Sequence, residues 1–338
     1  MHWFRLSYGI FFPLIQSNKR VAAIRSLLRL LRKTTLTPTH ICVGISTVVL
    51  YIALLWLTYP YGLFGSVLFT VLAGVWSVLI EPRWIQRREF IHRVSSMPIG
   101  IQIKLAVVGD LHIGSPYATL DALEKLLDNI LSEKPDALVL VGDYVIQGVI
   151  GGTHVHITDV VKLLDTVDIP CIAIIGNHDV KDGRADIHAA FQNSSIHFLE
   201  NTHVQVNINN QPLQFIGLDD ESTGHPKPDD AFPTKRECGV VICLAHDPAT
   251  FLREMPYRSD LCLAGHTHAG QVRIPGIGAL ILPGKSPLSW SYGWVDTKNG
   301  PLYVTSGFGT SIAPIRFCAP PEYVFITLQC IFFIPQNR

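Results

Sequence analysis

The feature that most constrains the fold of this chain is a series of apolar runs, each ending at a glycine that a polar side chain follows. The first three runs are Ile103–Val108, Ala137–Val141 and Cys171–Ile175. Two segments with apolar residues at helical spacing, Thr119–Glu133 and Val155–Val167, separate them. Short apolar strands that alternate with amphipathic helices predict βαβ units and a largely parallel sheet.

The second half of the chain contains more strand-like runs than one such sheet requires. Val204–Ile208 and Leu213–Ile216 flank a short polar segment and predict a hairpin. Five further runs are predicted as strands: Val240–Leu244, Leu261–Ala264, Gln271–Ile274, Leu302–Thr305 and Tyr323–Leu328. This number of strands favours two stacked sheets with helices on the outside.

Five short motifs offer polar side chains of related chemistry at the ends of these runs. In chain order they read Gly109-Asp110-Leu111-His112, Gly142-Asp143, Gly176-Asn177-His178-Asp179, Ala245-His246-Asp247 and Gly265-His266-Thr267-His268. Because ligands of α/β sheets bind beyond the carboxyl ends of the strands, we expect all five motifs to face one crevice. The set contains oxygen and imidazole ligands but no thiolate, which suits Mn²⁺, Fe or Zn²⁺ better than a structural thiolate zinc site.

The spacing within the motifs predicts which side chains bind together. Asp110 and His112 are two positions apart, so in an extended segment they share a face, and the same holds for His266 and His268. Asp143 is a natural bridging carboxylate, because its two oxygens can bind two ions at once.

The third motif adds two further groups to the expected centre. Asn177 supplies a neutral amide oxygen, which limits the negative charge that faces an anionic substrate. His178 directly follows it and is expected just outside the ligands, where an imidazolium would stabilise or protonate a leaving-group oxygen. Two ions about 3.5–4 Å apart can clamp both oxygens of a phosphate displacement, so the pattern predicts a dinuclear phosphoesterase centre.

Other polar clusters carry a weaker signal. His154 and His156 follow no strand and are interpreted as solvated. Asp219 and Asp220 are interpreted as a polar loop, with a place beside the ligands as the alternative. An aromatic stretch with Trp290, Tyr292 and Trp294 either lines a substrate pocket or packs on the domain.

Composition limits the class of partner. Lys plus Arg and Asp plus Glu each number 27, so the formal net charge is zero and a general nucleic-acid binder is not expected. The seven cysteines are scattered, with no Cys-x-x-Cys, and are expected to be mostly buried, reduced thiols.

Residues 41–80 are the most apolar part of the chain. Ile41–Tyr59 and Leu63–Ile80 flank Pro60-Tyr61-Gly62, and each is just long enough for a membrane span of about 20 residues. The pattern predicts a transmembrane helical hairpin; a signal peptide fits worse, because the stretch is too long and starts late.

Basic residues flank the apolar stretch on both sides: Arg25, Arg29, Arg32, Lys33, Arg83, Arg87 and Arg88. Both flanks are therefore expected in the cytoplasm. One longer tilted span, which would place the following domain outside, is the alternative.

The expected organisation has four parts. Residues 1–40 form a basic N-terminal segment, in which Arg20–Lys33 is either an amphipathic helix on anionic lipid or an ordinary helix flanking the membrane. Residues 41–80 form the hairpin, 81–101 a linker and 102–330 the catalytic domain.

The motifs resemble those of the calcineurin-like metallophosphoesterases across about residues 103–330. The family pattern Asp-x-His, Gly-Asp, Gly-Asn-His-Asp/Glu, His and Gly-His-x-His is complete in this chain. The resemblance implies a four-layer αββα sandwich with a dinuclear site, in which a bridging hydroxide attacks phosphorus and His178 assists departure. It implies two ligand sets: Asp110, His112, Asp143 and His268 for one ion, and Asp143, Asn177, His246 and His266 for the other.

The sequence is most similar to a membrane-anchored bacterial branch of this family. Segments 111–114, 264–272, 307–311 and 314–317 carry that resemblance. Ala269 stands where the branch usually has glycine, and we expect this difference to affect local backbone shape rather than metal binding. The branch includes chlamydial-type UDP-2,3-diacylglucosamine pyrophosphatases. It implies a bacterial inner-membrane enzyme that uses two divalent ions, Mn²⁺ first and Fe or Zn²⁺ next, on a lipid-linked phosphodiester or pyrophosphate. A general phosphodiesterase of soluble substrates and a non-catalytic metal-binding scaffold are the alternatives.

Overall fold

The computed structural model describes residues 62–236 and 239–331. The described residues fall into two units, one ending at Trp76 and a larger one beginning at Ser77. The predicted basic segment 1–40 and the first half of the predicted hairpin lie outside the described residues.

The second half of the predicted hairpin is helical. Helix α1 covers Gly62–Val75 and continues as a π-helical turn, Trp76–Ile80, and a 3-10 turn, Glu81–Arg83. Among the residues described, Phe64–Arg83 is the one helix long and apolar enough to cross a membrane by length and composition, with a mean hydropathy of 1.8.

The first sheet has six strands in the order β1-β14-β2-β3-β4-β5. Their bounds are β1 Gln86–Val94, β2 Gln102–Val108, β3 Ala137–Leu140, β4 Cys171–Ile174, β5 His197–Leu199 and β14 Glu322–Cys330. Strands β2 to β5 are parallel, as predicted, and β14 runs antiparallel to β2 and parallel to β1.

The second sheet also has six strands, in the order β12-β13-β9-β8-β7-β6. Their bounds are β6 Thr202–Ile208, β7 Gln211–Gly217, β8 Val240–Leu244, β9 Leu261–Ala264, β12 Gly293–Thr297 and β13 Gly300–Val304. The predicted hairpin is confirmed as β6–β7, and its turn residues Asn209 and Asn210 have φ of 52° and 62°, as a type I′ turn requires. Strands β7, β8, β9 and β13 are parallel, so both sheets present strand carboxyl ends.

The sheets face one another across a core and carry helices on their outer faces. Three helices, α2 (Leu120–Ser132), α3 (Ile157–Leu164) and α4 (Asn177–Gln192), pack their apolar residues on the first sheet. The outer face of the second sheet is covered by α5 (Pro228–Ala231), a 3-10 turn at Pro248–Leu252 and loops. The expected helical layer on that side is therefore thin.

Two sequence predictions differ from the structure. The expected linker 81–101 contains β1, whose half-buried and exposed positions alternate, although its exposed face includes the apolar Ile91. The predicted strand Gln271–Ile274 shortens to β10 (Arg273–Ile274), which forms a two-stranded sheet with β11 (Gly278–Ala279).

Four of the five described cysteines are buried, as predicted, and none of the five forms a disulfide. The buried thiols are those of Cys171, Cys243, Cys262 and Cys330, and Cys318 is exposed.

Candidate metal centre

The carboxyl ends of five parallel strands bring the five motifs to one edge of the domain. Asp110, Asp143 and Asn177 follow the ends of β2, β3 and β4 in the first sheet by two or three residues, and His246 and His266 follow the ends of β8 and β9 in the second sheet by two. Backbone hydrogen bonds join neighbouring strand ends: Asp110 N donates to the carbonyl of Gly142, and Gly265 N to that of His246, both at 3.0 Å. The predicted crevice is formed by both sheets.

One group of side chains comprises Asp110, His112 and His268, whose nearest ligand atoms lie within 4.8 Å of one another. His112 Nε2 and His268 Nε2 are 3.0 Å apart. Asp110 Oδ1 lies 4.0 Å from His112 Nε2 and 3.7 Å from His268 Nε2. All three side chains are buried, so these atoms converge on one small space away from solvent.

A second group comprises Asp143, His246 and His266, again within 4.8 Å. His246 Nε2 lies 3.1 Å from Asp143 Oδ2 and 3.1 Å from Asn177 Oδ1, and His266 Nδ1 lies 2.8 Å from the same Asn177 oxygen. His246 Nδ1 is 2.7 Å from the carbonyl of Val141, an arrangement in which Nδ1 donates its proton and Nε2 faces the group.

Asp143 connects the two groups. Its Oδ2 lies 3.1 Å from His246 Nε2 and 3.4 Å from His112 Nε2, and its Oδ1 accepts a hydrogen bond from His178 N at 2.8 Å. Asp143, His112 and His178 form a third group of possible ligands. The carboxylate predicted as a bridge therefore lies between the two imidazole pairs.

His178 lies at the rim of this arrangement. Its ring meets that of His112 edge-on at 4.9 Å, and its Nε2 is 3.4 Å from Ser311 Oγ. It is half-buried, whereas the six His and Asp residues of the first two groups are buried.

The backbone is strained at most of these positions. Asp110, His112, Asp143, His266 and His268 have φ of 48°, 44°, 59°, 67° and 48°. Left-handed backbone costs a residue with a Cβ about 1–2 kcal/mol, and such strain clusters at functional sites. Ala269 also has a positive φ, 54°, at the position where we expected a change in local shape.

Two glycines allow the strand ends to approach one another. Gly142 has φ of +89°, and a Cβ on it would lie 2.8 Å from His246 Nδ1. A Cβ on Gly265 would lie 2.5 Å from Asp110 Oδ2. The glycines before the ligands are therefore required for steric reasons.

The arrangement fits divalent metal ions. At a metal–nitrogen distance of about 2.1 Å, two imidazoles that bind one ion at about 90° place their nitrogens roughly 3.0 Å apart. His112 and His268 hold their Nε2 atoms at that separation, 3.0 Å. When both rings are neutral, at most one proton fits between these two Nε2 atoms, so at least one of them has no hydrogen to donate. A cation between them would accept the lone pair of each nitrogen. The oxygen and imidazole donors are those that Mn²⁺, Fe and Zn²⁺ accept.

The carboxylates have shifted affinities for protons. Burial, with repulsion from Asp143, raises the pKa of Asp110 to about 7. Burial also opposes ionisation of Asp143, but the neighbouring imidazoles, His246 foremost, hold its pKa well below the usual value. Asp143 is thus ready to bind a cation at neutral pH.

The imidazoles divide into two classes. Burial lowers the pKa of His112, His268 and His178, which favours the neutral rings that ligate metals. Burial acts the same way on His246, but the carboxylates of Asp143 and Asp110 outweigh it and raise its pKa well above the usual value. The protonated His246 ring therefore carries a positive charge next to the carboxylates of Asp143 and Asp110.

Two buried carboxylates within the motifs support the centre, although the sequence analysis assigned them no role. Asp179 accepts hydrogen bonds from the backbone N–H groups of Asp143, Tyr144 and Gly176 at 2.8–2.9 Å, and so ties β3 to the start of α4. Its place at the third position of a helix is a capping signal that was visible in the sequence. Asp247 Oδ2 lies 3.8 Å from His266 Nε2.

Arg316 is the third group that sequence reasoning did not assign. Its guanidinium is fully buried beside the centre and donates to backbone carbonyls. Burial lowers its pKa to about 10, so it remains charged at neutral pH. A charged residue in a loop gives no local sequence signal of burial.

The remaining candidates differ in their distance from the ligands. His154 and His156 are exposed, as predicted. Asp219 and Asp220 are buried in one polar loop, where their carboxylates accept hydrogen bonds, and Asp219 also pairs with Arg184. Asp220 lies close enough to His246 for its charge to help raise the pKa of that ring, which favours the alternative of a place beside the ligands. Tyr292 donates to Glu322, and Trp294 packs on Phe90 and Tyr303, so these aromatic residues pack on the domain.

Comparison with known proteins agrees with this geometry. The profile of the calcineurin-like phosphoesterase family matches residues 103–270. The uncharacterized metallophosphoesterase YkuE of Bacillus subtilis is 29% identical over 255 residues, covering 74% of this chain and 87% of YkuE. The phosphodiesterase YaeI of Escherichia coli is 28% identical over 257 residues, covering 73% of this chain and 90% of YaeI.

A third relative is the UDP-2,3-diacylglucosamine pyrophosphatase LpxG of Chlamydia trachomatis. It is 25% identical over 329 residues, covering 78% of this chain and 94% of LpxG. The chain carries a calcineurin-like metallophosphoesterase domain, the domain of a family of metal-dependent hydrolases.

Proposed function

We propose that the protein is a membrane-anchored phosphoesterase that uses two divalent ions, Mn²⁺ first among them, to hydrolyse a phosphodiester or pyrophosphate bond. The observation that carries this proposal is the position of Asp143 between two buried groups of ligands. One ion would be held by Asp110, His112, Asp143 and His268, and the other by Asp143, Asn177, His246 and His266. Bound there, the ions would polarise a phosphoryl oxygen and activate water.

The protein's own residues would complete the ligand set and stabilise the leaving group. Asn177 Oδ1 lies within 3.1 Å of His246 Nε2 and within 2.8 Å of His266 Nδ1, so it would complete the ligand set of the second ion without adding charge. His178 is anchored through its backbone N–H to Asp143, and its Nε2 faces Ser311 at the rim. From this position the neutral ring of His178 would hydrogen-bond to the leaving-group oxygen and stabilise the charge that develops on it.

We propose a lipid-linked substrate, with UDP-2,3-diacylglucosamine as the first candidate. The similarity to LpxG supports this choice, as does a helix, Phe64–Arg83, with the length and composition of a membrane span. An anchored active site raises the effective concentration of substrates confined to the same bilayer. The proposal includes a hairpin over residues 41–80, a bacterial inner-membrane location and a catalytic domain in the cytoplasm. The similarity to the phosphodiesterase YaeI supports a second candidate, a general phosphodiesterase of soluble substrates.

Hydrolysis assays with purified, detergent-solubilised protein and Mn²⁺ test the proposal. The substrates are UDP-2,3-diacylglucosamine and a generic aryl phosphodiester, and the control variant is Asp143→Ala. We expect the wild type to release UMP and the variant to lose at least about 10³-fold in rate, because both ions depend on Asp143. Cleavage of the aryl ester alone would favour the general phosphodiesterase. Absence of turnover with bound Mn²⁺ would refute the proposed activity and favour a scaffold.

A further inference from the structure

Arg316 is a buried cation whose hydrogen-bonding partners are all backbone carbonyls. Nη1 donates to Ala319 O at 2.9 Å, and Nη2 donates to Ser306 O at 3.0 Å, to Gly307 O at 3.1 Å and to Gly309 O. The side chain has no measurable exposure to solvent. Several carbonyls that converge on one point need a donor with a wide, planar fork, which guanidinium provides and ammonium does not.

Three of the four carbonyls belong to the loop that lies directly against the candidate metal ligands. Phe308 N donates to Gly109 O at 3.0 Å, and Gly309 N donates to Asp110 O at 2.8 Å. The loop Ser306–Gly309 is thus fastened to Arg316 on one side and to the first ligand motif on the other.

The contact between this loop and the ligands leaves no spare space. A Cβ on Gly307 would lie 2.6 Å from Asp110 Cβ and 2.8 Å from Asp110 Oδ2. A Cβ on Gly309 would lie 2.6 Å from His112 Cβ. A shift of the loop by a few tenths of an ångström would therefore move Asp110 and His112, or release them to move.

We propose that Arg316 is a positioning residue of the metal centre, which holds the Ser306–Gly309 loop against Asp110 and His112 and so fixes the Asp110–His112–His268 ligand set. The inference rests on the proposed metal-dependent function, because it assigns Arg316 a role toward the ions. It distinguishes the two ligand groups, since the nearest ligands to the loop, Asp110 and His112, both belong to the first.

Metal titration of the full-length, detergent-solubilised protein tests this role. Wild type, Arg316→Lys and Arg316→Met are stripped of metal and titrated with Mn²⁺ by calorimetry. We expect the wild type to bind two ions. Loss of a residue that orients ligands weakens metal binding by roughly 10–100-fold. We expect that loss for one ion in both variants, with the other ion within about threefold of its wild-type affinity. Lysine fails to rescue, because one ammonium group cannot serve all the carbonyls.

Asn299→Ala is the matched control for loss of stability alone. Asn299 is also buried and donates to two carbonyls, those of Phe251 and Arg253, but it lies before β13, at the opposite end of the strand from the metal centre. We expect this variant to melt at a lower temperature and to bind both ions as the wild type does. Equal weakening in Asn299→Ala would overturn the inference, as would unchanged affinities in the Arg316 variants.

Two further measurements distinguish failure of the role proposed for Arg316 from failure of the proposed metal-dependent function. If neither Arg316 variant folds, Gly309→Ala displaces the same loop from His112 while Arg316 is retained, and it must weaken the same single ion. Unchanged binding by Gly309→Ala would then overturn the inference. A wild type that binds no Mn²⁺ would instead overturn the proposed function.

Discussion

Gly265→Ala tests whether close packing of the strand ends sets the geometry of the metal centre. Gly265 directly follows β9, and its backbone conformation is open to any residue, so the added methyl group acts through its volume alone. That methyl would lie 2.5 Å from Asp110 Oδ2 and 3.4 Å from Val141 Cγ2. The Asp110 carboxylate is the group that must move.

The size of the effect follows from these distances. Ordinary contact begins at about 3.5 Å, so the carboxylate must move by roughly 1 Å. Metal sites tolerate deviations of only about 0.2 Å. The same movement breaks the hydrogen bonds that His266 N donates to both carboxylate oxygens at 2.9 and 3.0 Å. Hydrogen bonds to charged groups contribute about 1.5–3 kcal/mol.

We therefore expect Gly265→Ala to weaken the ion held with Asp110 by roughly 10–100-fold, as loss of a ligand-orienting contact does. The free energy of unfolding should fall by about 1–3 kcal/mol, as overpacking costs. Mn²⁺ calorimetry and thermal melting measure the two effects.

Gly100→Ala is the control, because Gly100 has φ of +85° and nothing within 4 Å of an added Cβ. It lies just before β2, away from the strand ends that form the centre. It should lower stability by about 1–2 kcal/mol through backbone strain and leave metal binding unchanged. Two wild-type Mn²⁺ affinities in Gly265→Ala would refute the packing argument.

Two further predictions concern pH and stability. Asp110, with a pKa of about 7, and protonated His246 must lose their protons to bind metal. The affinity for Mn²⁺ should therefore rise from pH 6 to pH 8, and binding should release protons. Calorimetry in buffers of different ionisation enthalpy measures both effects, and an affinity that falls over this range would contradict the assignment. Thr119 caps α2, because its side chain accepts a hydrogen bond from Ala122 N at 3.2 Å. Thr119→Ala should lower the free energy of unfolding in urea by about 1 kcal/mol without changing metal binding. A loss near zero would show that solvent replaces the cap.

The positions of the strand ends and of the candidate metal ligands could be predicted, because each is encoded by a few consecutive residues. An apolar run followed by glycine and a ligand predicts both a strand and the direction in which its end faces, as at Val141-Gly142-Asp143. Parallel pairing then brings such ends together without knowledge of the loops. Asp143 was predicted as a bridge because the two oxygens of one carboxylate can bind two ions, and its side chain does lie between the two groups; metal binding itself stays a prediction.

Strand β1 was not predictable, because its sequence carries no clear alternation of apolar and polar residues. Arg88 faces inward and Ile91 outward, and only Phe90 and Val94 supply inward apolar surface. Its pairing partner, β14, is almost the whole domain away in sequence. Arg316 is similar, since its burial depends on carbonyls that converge only after the loop has folded.

The position of β14 determines when the first sheet can be completed during synthesis. β14 lies between β1 and β2, and Gln86 of β1 pairs with Glu322 of β14. At a synthesis rate of about 5–20 residues per second, β1 waits roughly 10–50 s for its partner. Arg87, Glu89 and Arg93 on its exposed face would keep this open strand from pairing with other chains during that interval. The same charged residues that obscure the strand pattern of β1 in the sequence therefore suit a strand that is synthesised early and pairs with β14 only at the end of synthesis.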